Sequence, residues 1–237
     1  MLIENLVVGY ANKALVRNLF LCVPAGAFVA VVGHNGSGKT TFFRSLTGQL
    51  PYAGSICLLG QEIRALSRAK LASCLGYLPQ RGSIDFSIAV RELVVMGRYR
   101  HHGLLSAYCP TDYALADAAL QQVGMAHLSG RDFTQLSGGE QQLVWLAQLS
   151  LQQAPVYVLD EPTQQLDVYY RRQVFDLIQR WTRQGQTVLC STHDLDNLPA
   201  LQGYLLNLSE PKPALKPLTP ASVLEARQVL EAPPLSV

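Results

Sequence analysis

Eight consecutive residues, Gly33-His34-Asn35-Gly36-Ser37-Gly38-Lys39-Thr40, have the form G-x-x-x-x-G-K-T. That is the chemistry of a polyphosphate cradle. Gly33, Gly36 and Gly38 allow backbone angles closed to other residues and keep side chains out of a ligand's path. Successive N–H groups from Gly33 to Thr41 are expected to form a concave anion nest at a helix N-terminus, where the helix dipole adds positive potential. Lys39 supplies a mobile charge for β/γ oxygens, and the Thr40 hydroxyl suits a Mg²⁺ shell.

Such a loop needs a strand before it and a helix after it. The continuous apolar run Ala27–Val32 reads as a buried parallel strand, and the residues from Thr41 to about Gln49 have helical spacing. Further strands are expected over 2–8, within 15–30 around the Pro24–Gly26 turn, at Gly54–Gly60, Leu75–Gln80, Val156–Asp160, Thr187–Ser191 and Tyr204–Leu208. From about 82 to 152 strand patterns vanish and helical periodicity takes over. A helix is expected over about 167–184, and a short one at 221–231 in a proline-rich tail. Strands alternating with helices imply an α/β fold with a mainly parallel sheet.

Two more groups of residues carry chemistry. The Val156–Asp160 strand ends in Asp160-Glu161, where ligands of α/β sheets gather. Asp160 would balance a metal at Thr40 and Glu161 would accept a proton from water, although acids after a strand also serve as turn or cap residues. Leu136-Ser137-Gly138-Gly139-Glu140-Gln141 reads as a second anion-binding helix start, opening a helix over Glu140–Leu151, or as an ordinary N-cap with flexible glycines.

With this LSGGE/Q string the chain resembles the ATP-binding cassette (ABC) ATPases over residues 1 to about 210. The resemblance implies a P-loop ABC-type nucleotide-binding domain over 1–210: a mixed sheet core, an N-terminal antiparallel β subdomain and a helical subdomain inserted at about 82–152. A tail, 211–237, follows. It implies ATP and Mg²⁺ as ligands. Tyr10 matches the aromatic that stacks on adenine, Gln80 the Q-loop glutamine that senses metal and water, Asp167 the D-loop aspartate and His193 the switch histidine at the γ-phosphate. Glu161 becomes the general base, with His193 and Gln80 beside it; Thr40, Gln80 and Asp160 become metal-side residues; Ser137, Gly138, Gly139 and Glu140 act on the nucleotide of an opposite subunit. Read singly, Tyr10 also suits a core aromatic, and Gln80 or His193 a satisfied polar residue at a strand end. The chain departs from the family where Gln141-Gln142-Leu143 replaces the frequent Arg-Gln-Arg, and in the D-loop, where Gln164-Gln165 replaces small residues.

Val90-Arg-Glu-Leu-Val-Val-Met-Gly97-Arg98-Tyr99-Arg100-His101 resembles the V-x-E-x-V-x-x-G-R-Y-P-H string of importer ATPases for iron–siderophores, haem and cobalamin, with Arg100 at the proline. The resemblance implies a homodimer joined to two integral membrane subunits that dock near Gln80 and residues 84–100, served indirectly by an extracytoplasmic binding protein. The alternatives are an exporter ATPase, or a soluble ATP-gated protein acting on nucleic acid or ribosomes. Arg98 and Arg100 are read as pairing with local acids or lining the docking groove. Adjacent His101 and His102 are not read as metal ligands, since neighbours rarely reach one ion.

A formal charge of +2 argues against a nucleic-acid partner, and 49% hydrophobic with 15% charged residues suit a surface partly covered by partners, a large buried parallel sheet, or both. Five scattered cysteines without a C-x-x-C pair point to a reducing compartment. Lacking an apolar run of about 18 residues or a secretory signal, the chain is expected in the cytosol or on the cytosolic side of a membrane; the family resemblance implies the cytoplasmic face of the inner membrane, as a peripheral subunit.

Overall fold

A computed structural model describes residues 1–10, 13–80, 82, 84–102, 107–164 and 166–232. Two units emerge from it: one of Met1–Tyr77, Pro155–Glu161 and Ile178–Val237, the other of Leu78–Ala154 and Pro162–Leu177.

In the first unit, β1 (Leu2–Tyr10), β2 (Lys13–Cys22), β4 (Ala53–Leu58) and β5 (Gln61–Glu62) form an antiparallel sheet in the order β2-β1-β4-β5. A six-stranded sheet has the order β10-β9-β3-β8-β7-β6, with β3 (Phe28–Val32), β6 (Leu75–Leu78), β7 (Val156–Asp160), β8 (Thr187–Ser191), β9 (Tyr204–Asn207) and β10 (Leu215–Pro217). Strands β9, β3, β8 and β7 run parallel and β10 antiparallel to β9. β3, β7 and β8 are buried at every residue, which explains their unbroken apolar runs. Because they are parallel, the loops after Val32, Asp160 and Ser191 all leave the same edge of the sheet.

Helix α1 (Lys39–Leu46) is only eight residues long and ends three residues before the helix expected from sequence. A helix that short is marginal alone. It is held by Phe42, Phe43 and Leu46, all at or near zero exposure in a core shared with Ile3, Val29, Val31 and Val158. Burying each phenylalanine is worth roughly 1.5–3 kcal/mol. A short helix, α2 (Arg68–Cys74), precedes β6. The proline-rich segment is integrated into the sheet through β10, a strand that its composition hid, and continues into α7 (Pro220–Glu231). Residues 233–237 of the tail lie outside the described residues.

In the second unit, α3 (Val90–Val95) runs into a 3₁₀ segment, Met96–His101, so the G-R-Y-R-H string forms a tight turn of helix. α4 (Pro110–Gln122) and α5 (Gly138–Ser150) follow, and α6 (Val168–Arg183) is divided between the units. Among its described residues an antiparallel bridge joins Ala89 and Asp132. Asp112 organises its outer end. Its buried carboxylate accepts from the Cys109 amide at 3.0 Å, the Cys109 thiol at 2.9 Å and Arg98 Nε at 3.2 Å, and lies 2.9 Å from His102 Nε2. The Cys109 contacts above all hold its pKa well below the usual carboxylate range. Arg98 thus meets a local acid, whereas Arg100 donates to the Gln152 side chain.

Candidate functional site

The loop after β3 turns on glycines that no other residue replaces cheaply. Gly38 has φ +98°, and a Cβ there would lie 3.1 Å from both Leu15 Cβ and Val16 Cγ2. A Cβ on Gly33 would lie 2.3 Å from Ser37 Oγ. Gly38 is also the N-cap of α1: it offers no side-chain cap, and the first turn carries no acid. The first amides of α1 therefore have neither an intrahelical partner nor an internal anion.

Not every loop amide points at a ligand, however. The His34 amide donates to Ser209 Oγ at 2.8 Å and the Ser37 amide to the His34 carbonyl at 3.1 Å. Two positions expected in the nest thus stabilise the loop itself. Lys39 is nearly buried, and its ammonium donates to the carbonyls of Gly33 at 2.8 Å and His34 at 3.4 Å. Burial lowers its pKa, against the pull of Glu161 and Asp160.

The register of β7 and β8 pairs Asp160 with Ser191. The Ser191 hydroxyl donates to Asp160 Oδ1 at 2.6 Å and accepts from the Glu161 amide at 2.8 Å. Sequence reading missed Ser191; its only signal was a hydroxyl ending the apolar run TVLCS. Burial raises the Asp160 pKa, while the Ser191 and Thr40 hydroxyls work against that. Glu161 has φ +52°, a left-handed conformation that costs a non-glycine residue about 1–3 kcal/mol. The bond from its amide to Ser191 holds that turn and aims the carboxylate off the strand. Glu161 Oε1 lies 2.9 Å from His193 Nε2. The two residues that the family resemblance implies as base and switch histidine are therefore in direct contact.

Among the described residues, the buried oxygens of this unit that lack a hydrogen bond include Ser37 Oγ and Asp160 Oδ2. Such orphans are rare in native interiors and fit a site whose partners come from a ligand. The Thr40 hydroxyl and the Asp160 carboxylate, which interact with each other, are hard-oxygen donors of the kind Mg²⁺ takes.

Tyr10, at the end of β1, is 46% exposed, which excludes the core-aromatic reading. Its hydroxyl accepts from Arg44 at 3.1 Å, so the ring is steadied from α1.

The remaining motif residues belong to the second unit. Ser137 is the N-cap of α5, which begins at Gly138, two residues before the expected start, so both glycines lie inside the first turn. Glu140 Oε2 accepts from the Ser137 amide and hydroxyl, both at 2.8 Å, completing a capping box. Those bonds lower the Glu140 pKa. Gln80 donates to the Gln164 side chain at 3.3 Å, and Asp167 Oδ1 accepts from the Tyr170 amide at 2.9 Å, capping the start of α6. Gln165 lies outside the described residues.

A family profile described as ABC transporter matches residues 16–164. The manganese transport system ATP-binding protein MntB of Bacillus subtilis (strain 168) is 35% identical over 95% of this chain and 90% of its own length. The ferric enterobactin transport ATP-binding protein FepC of Escherichia coli (strain K12) is 33% identical over 88% of this chain and 78% of its own. Among solved structures, an ABC transporter in an inward-facing conformation superposes with a TM-score of 0.79 at 27% identity, covering 97% of this chain and 87% of that one.

Proposed function

Since this chain belongs to the ABC transporter family as an ATP-binding, ATP-hydrolysing protein, we propose that it energises import of a metal ion or metal chelate, with Glu161 as general base. The observation that carries the catalytic part is the Glu161–His193 contact at 2.9 Å, on the sheet edge that also bears the phosphate loop and Asp160. The metal-borne cargo rests on the V-x-E-x-V-x-x-G-R-Y string and on relatives named for manganese and ferric enterobactin transport.

In the proposed reaction a water oxygen bonds to the γ-phosphorus while the bond to the bridging β–γ oxygen breaks, leaving ADP and phosphate. Glu161 takes the proton of the attacking water, and His193 steadies both Glu161 and the γ-phosphate. Lys39 and the remaining amides of Asn35, Gly36 and Gly38–Thr41 hold the phosphates, and Tyr10 stacks on adenine. His34 acts by fixing the loop. Mg²⁺, held by Thr40 and Asp160, would neutralise charge on the β- and γ-oxygens. Gln80 keeps the sensing role that the family resemblance assigns to it. Ser137, Gly138 and Gly139 of a second copy would close on the γ-phosphate, which makes the enzyme a homodimer that ATP shuts. Two membrane subunits would dock near Gln80 and residues 84–100. In that stretch Phe86, Met96 and Tyr99 are exposed apolar side chains of the kind that interfaces cover. Among the described residues no helix is long and apolar enough to cross a membrane; the chain is proposed to sit peripherally, at the cytoplasmic face.

Glu161→Gln tests the catalytic assignment. Turnover should fall about 10²–10⁴-fold while nucleotide binding persists. Near-normal hydrolysis by this variant removes Glu161 from the role. Purification in detergent tests the transport assignment: two integral membrane proteins should accompany the chain, and recovery with nucleic acid instead overturns it.

A further inference from the structure

Helix α7 is tied to the loops that bear the site. The His34 ring joins the two. Its Nε2 lies 3.1 Å from the carbonyl of Ala232, the C-cap of α7, and its Nδ1 lies 2.9 Å from Ser209 Oγ, just beyond β9. The His34 amide donates to that same hydroxyl at 2.8 Å. One tautomer satisfies all of this. With the proton on Nε2 the ring donates to Ala232, and Nδ1 accepts the Ser209 proton while Ser209 Oγ accepts from the amide. Farther along, Arg227 of α7 pairs with Asp196, three residues beyond His193. Lys216 of β10 bridges Glu225 of α7 and Glu210, both at 3.1 Å. Val223 and Ala226 anchor the helix by burial.

We propose that α7 positions the phosphate loop, and that His34 is the positioning residue that transmits its placement. The contacts form one continuous chain. The end of α7 orients the imidazole, and the imidazole and Ser209 hold the second residue of the loop. The carbonyls of Gly33 and His34 in turn hold the Lys39 ammonium, at 2.8 and 3.4 Å. A tilt at residue 34 therefore moves both the nest and its cation. Phosphate contacts depend on donor placement to within about 0.5 Å, so a support far away in sequence is felt in affinity. By linkage, nucleotide that tightens the loop must tighten the end of α7 equally.

The inference rests on the reading of Gly33–Thr41 as the ATP-phosphate site, and the experiment separates the two. Binding of a fluorescent ATP analogue, KM and kcat are measured on the full chain and on His34→Ala, His34→Gln and Lys39→Ala, with hydrogen exchange followed over α7. His34→Ala should raise Kd and KM for nucleotide about three- to tenfold and leave saturating kcat little changed. His34→Gln should recover most of the affinity, because its amide can still donate to the Ala232 carbonyl. A non-hydrolysable nucleotide should slow exchange at the end of α7 in the native protein and not in His34→Ala. Native affinity in folded His34→Ala, or α7 exchange in the native protein indifferent to nucleotide, overturns the proposal. If His34→Ala does not fold, the exchange measurement on the native chain and the affinity of His34→Gln decide in its place: no protection, or a loss in His34→Gln of more than about tenfold, counts against it. Should Lys39→Ala also bind nucleotide like the native protein, the phosphate-site reading fails with it; if Lys39→Ala alone loses binding, only this inference fails.

Discussion

The two helix starts that the sequence marks for anion binding are built in opposite ways. α1 opens on a left-handed glycine with no side-chain cap and no acid in its first turn. α5 opens on Ser137 and carries its own anion, because Glu140 accepts from the Ser137 amide and hydroxyl. The first presents donors and a buried lysine to whatever arrives, and depends on its surroundings to stay helical. The second is capped and complete in itself. A serine followed by two glycines therefore does not make an open anion site. For α5 to meet a phosphate, contact must come through the amides of Gly138 and Gly139, or Glu140 must give way.

Four substitutions break or sharpen this contrast. The largest effect belongs to the open end: Lys39→Ala should weaken nucleotide binding about ten- to a hundredfold, the loss of charge-assisted hydrogen bonds. Calorimetric titration with ATP measures it, and unchanged affinity would remove the loop from phosphate binding. Gly38→Ala should destabilise the first unit by about 1–3 kcal/mol, since a side chain must adopt φ +98° against Leu15 and Val16. Urea unfolding reads this, and a neutral result would mean that the loop relaxes freely. At the closed end, Ser137→Ala should cost about 1 kcal/mol of stability for the lost cap and should lower turnover more than it lowers ATP affinity. Equal losses in both would argue against a role after binding.

The smallest effect concerns pH and lies in the second unit. Asp112 has a depressed folded pKa, so its contribution to stability is present above its unfolded value of about 4. That contribution is lost as the pH falls towards the folded value. Asp112→Asn should therefore be less stable than the native chain at neutral pH, and the gap should narrow below about pH 4. Unfolding curves across that range that stay parallel would show the cluster to be electrostatically silent.

Much of this was legible before any coordinates. The runs Val156–Asp160 and Thr187–Ser191 are strands at the expected residues, because full burial of a parallel sheet forces unbroken apolar runs. Phosphate loop, acidic pair and signature string were visible because each concentrates its chemistry in a few adjacent residues. β10 was hidden, since a three-residue strand ending in proline has no periodicity of its own and exists by pairing with β9. The length of α1 was overestimated for a related reason: apolar spacing continues past Leu46, where the chain already turns.

The sequence by itself determined which residues could do phosphate chemistry and in what order they occur, since glycine freedom, a lysine charge and paired carboxylates are local properties. Only the tertiary structure decided which of them act together. The parallel register of β7 and β8 sets Ser191 between Asp160 and Glu161, and residues far apart in the chain, His34 and Ala232, meet in a structure where β3, which leads to His34, pairs with β9, which leads to the C-terminal segment. Such pairings come from long-range packing, which leaves no periodic trace along the chain.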